Sequence, residues 1–104
     1  MNMLKPLEEL VKIIRERKFE KVDNSYTKQL LNNKKLCTEK VKEELKELLD
    51  AIKLEEKFKN AEAADLLYHL FVFLEANNIK VEEIMKELKT RQQKSGLEEK
   101  LNRN

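Results

Sequence analysis

The stretch AEAADLLYHLFVFL, residues 61–74, decides the fold that this sequence predicts. It is apolar on nearly every side of a helical wheel, which is typical of a buried helix. Glu62, Asp65 and His69 nevertheless fall within roughly 60° of one another on that wheel, because their spacing is i, i+3, i+7. Buried unpaired acids are rare in proteins. A core helix that carries this stripe therefore indicates a site for chemistry.

Three helices are expected before this stretch, and the first two lie within residues 4–32. Residues 4–18 have apolar side chains at helical spacing, and Pro6 is tolerated in the first turn. A short helix around Tyr26–Asn32 should follow, because residues 23–25 (Asp-Asn-Ser) are turn and cap residues.

The next helix is expected to be capped by Thr38 and to run to about Phe58. Its predicted buried stripe comprises Val41, Leu45, Leu48, Leu49 and Ile52. After a break near Lys59, the helix that holds residues 61–74 closes at EANNIK, residues 75–80. The last helix is expected to bury Val81, Ile84, Met85 and Leu88. Together these patterns predict an all-α bundle of four or five helices over residues 1–91, with a frayed or disordered polar tail over residues 92–104.

Composition narrows the class of protein. Forty per cent of the 104 residues are charged, and the chain contains one glycine and one proline, which excludes collagen-like and loop-rich β architectures. The net charge of +2 gives no argument for nucleic-acid binding. Cys37 is the only cysteine, so no disulfide framework or cysteine zinc site forms within one chain, and we expect no catalytic role for it.

The N-terminal residues MNMLKPLEEL lack the apolar core of a signal peptide, and the longest apolar run is too short to span a bilayer. We therefore expect a cytoplasmic protein with no membrane or nucleic-acid partner. A chain of this length buries only a small core, which burial shared with a second subunit would enlarge.

A second acidic pair, Glu44 and Glu47, lies at i, i+3 beside the apolar stripe of the third helix. An antiparallel pairing with the fourth helix would bring this pair near Glu62 and Asp65. Four carboxylates in a mostly apolar cleft cannot all be ionised without compensation. Either a basic residue such as Lys40 neutralises them, or they bind a hard divalent cation such as Mg²⁺.

Five motifs occur in a recognisable order: ERK at 16–18, SYT with LL within 25–31, KVKEELKE at 40–47, EAADLLYH at 62–69 and KELKTR at 86–91. Over residues 7–91 the chain resembles the phosphoribosyl-ATP pyrophosphatase family, which belongs to the all-α, MazG-like nucleotide pyrophosphohydrolases. The combination of SYT…LL with EAADLLYH points to this family, whereas the acidic motifs alone indicate only the superfamily.

The resemblance implies Mg²⁺-dependent hydrolysis of the α–β phosphoanhydride of phosphoribosyl-ATP, a nucleotide substrate, to phosphoribosyl-AMP and pyrophosphate, the second step of histidine biosynthesis. It also implies a homodimer or larger homo-oligomer whose helices complete one another's cores and sites. By position, the metal ligands implied are Glu44, Glu47, Glu62 and Asp65. One of these acids or Glu43 would hold the attacking water, so the candidate catalytic residues are Glu43, Glu44 and Glu47.

Candidate substrate contacts come from the same motifs. They are Lys40, Arg17, Lys18, Ser25, Tyr26, Thr27 and His69. Arg17 and Lys18 could instead form a solvated helix end, and His69 could be a hydrogen-bonded structural histidine. Tyr68 is expected to pack in the core or in a subunit interface.

The sequence departs from the family pattern at two positions. Lys42 and Leu45 stand where the family has glycine and alanine, a difference that bears on substrate fit. Two other functions therefore stay open at this point: a house-cleaning pyrophosphohydrolase of other nucleoside triphosphates, and a non-catalytic helical oligomerisation module.

Overall fold

The structure, a computed structural model, describes residues 2–21 and 25–93. Within these ranges the secondary structure consists of five α-helices and no strand, which confirms the predicted all-α class. The helices are α1 (Lys5–Phe19), α2 (Tyr26–Leu31), α3 (Lys34–Lys53), α4 (Lys59–Ala76) and α5 (Val81–Gln92). None of the helices in the described ranges has both the length and the apolar character needed to cross a membrane. The predicted turn residues Asp23 and Asn24 lie outside the described residues. Of the predicted tail over residues 92–104, Gln92 is the last residue of α5, and residues 94–104 lie outside the described residues.

Side-chain caps begin α2 and α3. The Oγ atom of Ser25 accepts a hydrogen bond from the backbone N–H of Lys28 at 3.3 Å, as expected for the N-cap of α2. The cap of α3 is Asn33, whose Oδ1 accepts from the N–H of Leu36 at 3.1 Å. The prediction that Thr38 caps this helix is wrong, because Asn33 caps it earlier and Thr38 lies inside the helix, donating its hydroxyl to the carbonyl of Lys34 at 2.8 Å.

The end of α3 also differs from the prediction, because the helix stops at Lys53 and not near Phe58. Glu55 has φ of 54°, and its N–H donates to the carbonyl of Ile52, while the N–H of Glu56 donates to that of Ala51. This pair of bonds is a Schellman motif, which closes a helix through a left-handed residue. The same motif closes α4 at the predicted position.

Helices α3 and α4 pack against each other as a hairpin, with α1 and α2 covering part of α4. The centre of the core is a cluster of four buried side chains: Ile14, Leu30, Cys37 and Val72. They come from α1, α2, α3 and α4 respectively, so α5 contributes nothing to this cluster. Ion pairs help to attach α5 to the other helices: Arg15 of α1 bonds both Glu75 of α4 and Glu82 of α5.

The predicted buried stripe of α3 is only partly correct, because Val41 and Leu48 are half-buried whereas the other three side chains are exposed. Leu45, Leu49 and Ile52 are 44%, 57% and 53% exposed. The residues that are buried instead are Cys37, Glu44 and Ala51. These three side chains lie on one stripe of the helix, about 60° around the helix axis from Val41. This stripe faces the neighbouring helices. Residues 2–21 and 25–93 of one chain thus leave an apolar face of α3 uncovered.

The predicted buried face of α5 is also only partly covered. Val81 and Ile84 are half-buried, whereas Met85 and Leu88 are exposed. No residue of α5 is fully buried.

Candidate active site

The two acidic pairs meet between α3 and α4. Carboxylate oxygens of Glu44, Glu62 and Asp65 lie within 4.8 Å of one another, and those of Glu43, Glu44 and Glu47 form a second group at the same limit. Glu44 belongs to both groups and is therefore the centre of the cluster. This confirms the expectation that pairing of the two helices brings both acidic pairs together.

Antiparallel packing produces this convergence. Glu44 meets Asp65. One turn further along α3, Glu47 meets Glu62, which lies one turn earlier in α4. Two i, i+3 pairs on facing helices thus become one compact set of oxygen ligands.

Two oxygens in the cluster have no hydrogen-bond partner among the residues that the structure describes. Glu44 is buried, with 8% of its surface exposed, and its Oε2 atom has no partner; the buried Oε2 atom of Glu62 is in the same state. Leaving a buried acceptor unsatisfied costs about 1–3 kcal/mol, and more when the group is charged. Such oxygen atoms can be satisfied by a hydrogen-bond donor or by a bound metal cation.

Burial and mutual repulsion shift the ionisation of these acids. Burial, followed by a hydrogen bond with Glu47 and the negative charges nearby, raises the pKa of Glu44 to about 7. Burial and then Glu47 likewise raise the pKa of Glu62. The cluster therefore holds more negative charge than the protein groups around it compensate.

The cleft is more open than the sequence suggests. Asp65 was expected among apolar neighbours but is exposed, as are Glu43 and Glu47, while Glu62 is half-buried. Lys40 does not neutralise the buried acid by direct contact, because its ammonium pairs with Glu43 at 3.2 Å. Of the two alternatives drawn from the sequence, the arrangement favours a cation.

The first turn of α2 packs onto α4 beside this cluster. Tyr26 places its hydroxyl 3.1 Å from Nε2 of His69, and Thr27 bonds the Tyr68 hydroxyl. The buried His69 bonds the carbonyl oxygen of Asp65 through Nδ1 at 2.8 Å. Tyr68 packs against the core cluster, as predicted.

Arg17 and Lys18 are not brought to the acids within one chain. Arg17 pairs with Glu20 on its own helix. Lys18 lies near the end of α4, where its ammonium is 3.7 Å from Glu75 Oε2 and 3.3 Å from Asn78 Oδ1. Glu75 is ten residues beyond Asp65, about 15 Å along the helix.

Sequence reasoning missed two contributors. Tyr68 was assigned to packing alone, although its hydroxyl ties α4 to Thr27 of α2. Its position three residues after Asp65 was the available signal, since i and i+3 share a helix face. Glu56, in the turn between α3 and α4, adds negative charge that raises the pKa of Glu62. Nothing in the sequence pattern singled it out.

Comparison with known proteins gives a consistent result. The family model described as phosphoribosyl-ATP pyrophosphohydrolase matches residues 7–92. A phosphoribosyl-ATP pyrophosphatase of Jannaschia sp. is 39% identical over 94% of this chain and 98% of its own length. One from Cereibacter sphaeroides is 38% identical over 93% of this chain and 96% of its own length. The histidine biosynthesis bifunctional protein HisIE of Helicobacter hepaticus is 39% identical over 93% of this chain but only 43% of its own length.

Proposed function

This chain belongs to the phosphoribosyl-ATP pyrophosphohydrolase family, and we propose that it hydrolyses phosphoribosyl-ATP to phosphoribosyl-AMP and pyrophosphate in histidine biosynthesis. Family membership supports the substrate. The observation that carries the chemistry is the set of acids centred on Glu44, with its buried, unpartnered carboxylate oxygens.

The donor set fits a hard divalent cation. Magnesium prefers oxygen ligands, commonly from one or two carboxylates together with substrate phosphates. The residues that would hold Mg²⁺ are Glu44, Glu47, Glu62 and Asp65, and the two unpartnered oxygens belong to this set. Bound Mg²⁺ would neutralise charge on the phosphates and lower the pKa of water.

The hydrolysis itself needs an oriented water. Its oxygen forms a bond to the α-phosphorus while the bond from that phosphorus to the bridging oxygen breaks, and pyrophosphate leaves. We infer that one of Glu43, Glu44 and Glu47 orients this water and accepts its proton. The proximity of these three carboxylates to one another supports that assignment.

Binding of the nucleotide is assigned to groups around the cluster. Lys40, next to Glu43, would supply positive charge to the phosphates. The first turn of α2, with Ser25, Tyr26 and Thr27, would form a wall of the substrate site, because it is bonded to α4 next to Asp65. Arg17 and Lys18 remain predicted substrate contacts, and the position of Lys18 within one chain implies that both would act in the site of a second copy.

We also propose a homodimer or larger homo-oligomer, because one face of α3 is apolar and exposed. Leu45, Leu49 and Ile52 share one face of α3 and are exposed, and so are Phe58, the N-cap of α4, and Leu67 on α4. Large exposed apolar patches usually mark interaction sites. A second copy packed on this face would cover it and enlarge the core.

Pyrophosphate release tests the function. Purified protein with Mg²⁺ should release pyrophosphate from phosphoribosyl-ATP faster than from ATP or other nucleoside triphosphates, and this release should stop when EDTA is added. The Glu47→Gln and Asp65→Asn variants should lose about 10²-fold or more in kcat while keeping wild-type helicity. Glu39→Gln is the matched control, because Glu39 lies on α3 but in neither acidic group.

Two results would contradict the proposal. Preference for a free nucleoside triphosphate would assign the chain to the house-cleaning alternative. In that case Lys42 and Leu45, which replace the family's glycine and alanine, would be the first residues to test by substitution. Absence of any hydrolysis by a folded, Mg²⁺-stabilised protein would favour the non-catalytic module.

A further inference from the structure

The imidazole of His69 joins two helices through both of its nitrogens. Nδ1 lies 2.8 Å from the carbonyl oxygen of Asp65, and Nε2 lies 3.1 Å from the hydroxyl of Tyr26. A carbonyl oxygen can only accept a hydrogen bond, so Nδ1 is the donor. In the neutral ring Nε2 is then the acceptor, and Tyr26 gives its hydroxyl proton to His69.

This arrangement fixes the direction of the Tyr26 hydroxyl. Because its proton points at His69, its oxygen retains only lone pairs for any other partner. The ring is held as well: its centroid is 6.4 Å from that of Tyr68 at 20° between planes, and 5.9 Å from that of His69 at 76°. Tyr26 is thus oriented on one side although 45% of its surface is exposed.

The oriented tyrosine borders the acidic cluster. His69 connects it directly to the backbone of Asp65, a candidate metal ligand. On α3, the charges of Lys40 and Glu44 are close enough to act on the phenol electrostatically. A nucleotide whose phosphates approach the acids would therefore have its sugar or base within reach of this ring.

We propose that His69 is a positioning residue that orients Tyr26 so that the tyrosine oxygen accepts a hydrogen bond from a hydroxyl or amino group of the nucleotide. His69 itself does not touch the substrate, because both of its nitrogens are engaged within the protein. This inference rests on the proposed function and assigns the side of the site that binds the non-phosphate part of the substrate.

The protonation pattern of the ring gives a test independent of turnover. His69 is the only histidine of the chain, so the imidazole nitrogen signals in an NMR spectrum of labelled protein belong to it without ambiguity. In the neutral form of the ring we expect a protonated Nδ1 and an unprotonated Nε2. In Tyr26→Phe the Nε2 signal should shift, whereas in Tyr68→Phe it should stay close to the wild-type position. A protonated Nε2 in the neutral wild-type ring would overturn the proposal.

Kinetics on phosphoribosyl-ATP test the role. Tyr26→Phe removes one oxygen from a half-exposed ring, and we expect it to lower kcat/KM about fivefold to a hundredfold, mainly by raising KM. His69→Ala should have a similar effect, and the double variant should be no more than about twofold worse than His69→Ala alone. His69→Gln, whose amide oxygen can accept the tyrosine proton, should recover part of the loss.

Thr90→Val is the activity control. It also removes a hydroxyl, one that bonds the backbone carbonyl of Lys86 on α5 and lies outside the proposed site. It should change kcat/KM by less than about threefold, because exposed substitutions away from buried or strained features have small effects. Equal losses in Tyr26→Phe and Thr90→Val, or additive losses in the double variant, would overturn the proposal. A wild-type protein inactive on phosphoribosyl-ATP would instead contradict the proposed function, so the two failures are distinct.

Discussion

The carboxylates of Glu44 and Asp65 approach within 4.8 Å although they belong to different helices and carry charge of the same sign. Burial of Glu44 strengthens their repulsion, because solvent screens the pair less. The pairing of α3 and α4 thus places a destabilising cluster in the cleft between these two helices. Proteins commonly accept such a cost where function requires the group.

Replacement of the buried acid should stabilise the metal-free protein. The folded-state pKa of Glu44 is about 7, above its ordinary value of 4.5, so the unfolded chain binds fewer protons between these values. The free energy of unfolding therefore falls as pH rises through this window. Glu44→Gln lacks this loss, and its Tm in EDTA should exceed that of the wild type above pH 7, with the difference shrinking towards about pH 4.5.

The control is Glu39→Gln, on the same helix and outside the acidic groups. Its pH dependence in thermal melts should follow that of the wild type. A constant Tm difference between Glu44→Gln and wild type across the whole range would contradict the assigned pKa.

Magnesium should raise the Tm of the wild type. A cation that binds only the folded state stabilises it by about 2.7 kcal/mol at a concentration a hundred times its Kd. Differential scanning fluorimetry with increasing MgCl₂ measures the effect. Asp65→Asn and Glu62→Gln should respond little, because each removes a ligand oxygen from the group around Glu44.

Glu83→Gln provides the comparison for this titration, since Glu83 is an exposed acid of α5 paired with Lys86. It should keep the full response to magnesium. An unchanged response in Asp65→Asn would place the cation elsewhere.

Acid should weaken the attachment of α5. The Arg15 guanidinium bonded to Glu82 lowers the pKa of that carboxyl to about 2, below its ordinary value of 4.5. The stability this pair contributes is present above about pH 4.5 and is lost as pH falls towards about 2. Glu82→Gln should therefore be less stable than wild type near neutral pH and equal to it near pH 2.

Urea unfolding at several pH values would measure this difference, with Glu83→Gln as the neighbouring control. The difference should be small at high ionic strength because Glu82 is exposed. A gap between Glu82→Gln and wild type that persists near pH 2 would show that packing, and not the ion pair, is responsible.

The exposed face of α3 should govern assembly. Leu49 is 57% exposed within one chain, and a charge placed in an apolar interface is costly. Leu49→Glu should shift the protein towards monomer, weakening association by about tenfold or more. Sedimentation analysis across a concentration series measures this shift. Lys35→Gln, an exposed change on the same helix, should leave the assembly intact, and a wild type that is monomeric throughout would contradict the proposed oligomer.

Cys37 should serve as a probe of unfolding. It is fully buried, and burial raises the pKa of its thiol, so both access and thiolate formation are suppressed. Labelling with a thiol reagent should be slow and should follow opening of the core. Val72→Ala, in the same buried cluster, should accelerate labelling by about tenfold or more, whereas Met85→Ala on the exposed face of α5 should not.

Much of the architecture follows from short-range pattern. The helix class, the Ser25 cap and the closure of α4 at EANN rest on interactions within one or two turns, which local sequence specifies. The grouping of Glu62 with Asp65, and of Glu44 with Glu47, has the same origin. Helical spacing alone puts each pair on one face.

Other features needed the tertiary structure. Pattern assigned Leu45 and Leu49 to the core, yet the neighbouring helices cover the line of Glu44 and leave these leucines exposed. Periodicity identifies an apolar face but not the element that covers it, and none of the helices described in the structure covers this one. The early end of α3 depends on the left-handed Glu55, a conformation that its residue type disfavours.

The sequence by itself determined the apolar periodicity of the helices, the two acidic pairs and the resemblance to a family. Only the tertiary structure decided that Glu44 is the buried centre of the acids, that His69 bonds Tyr26, and that Lys18 lies at the far end of α4. The physical reason is the separation along the chain between the residues that interact. Backbone geometry sets relations within a helix, whereas partners on other helices are chosen by which faces pack together.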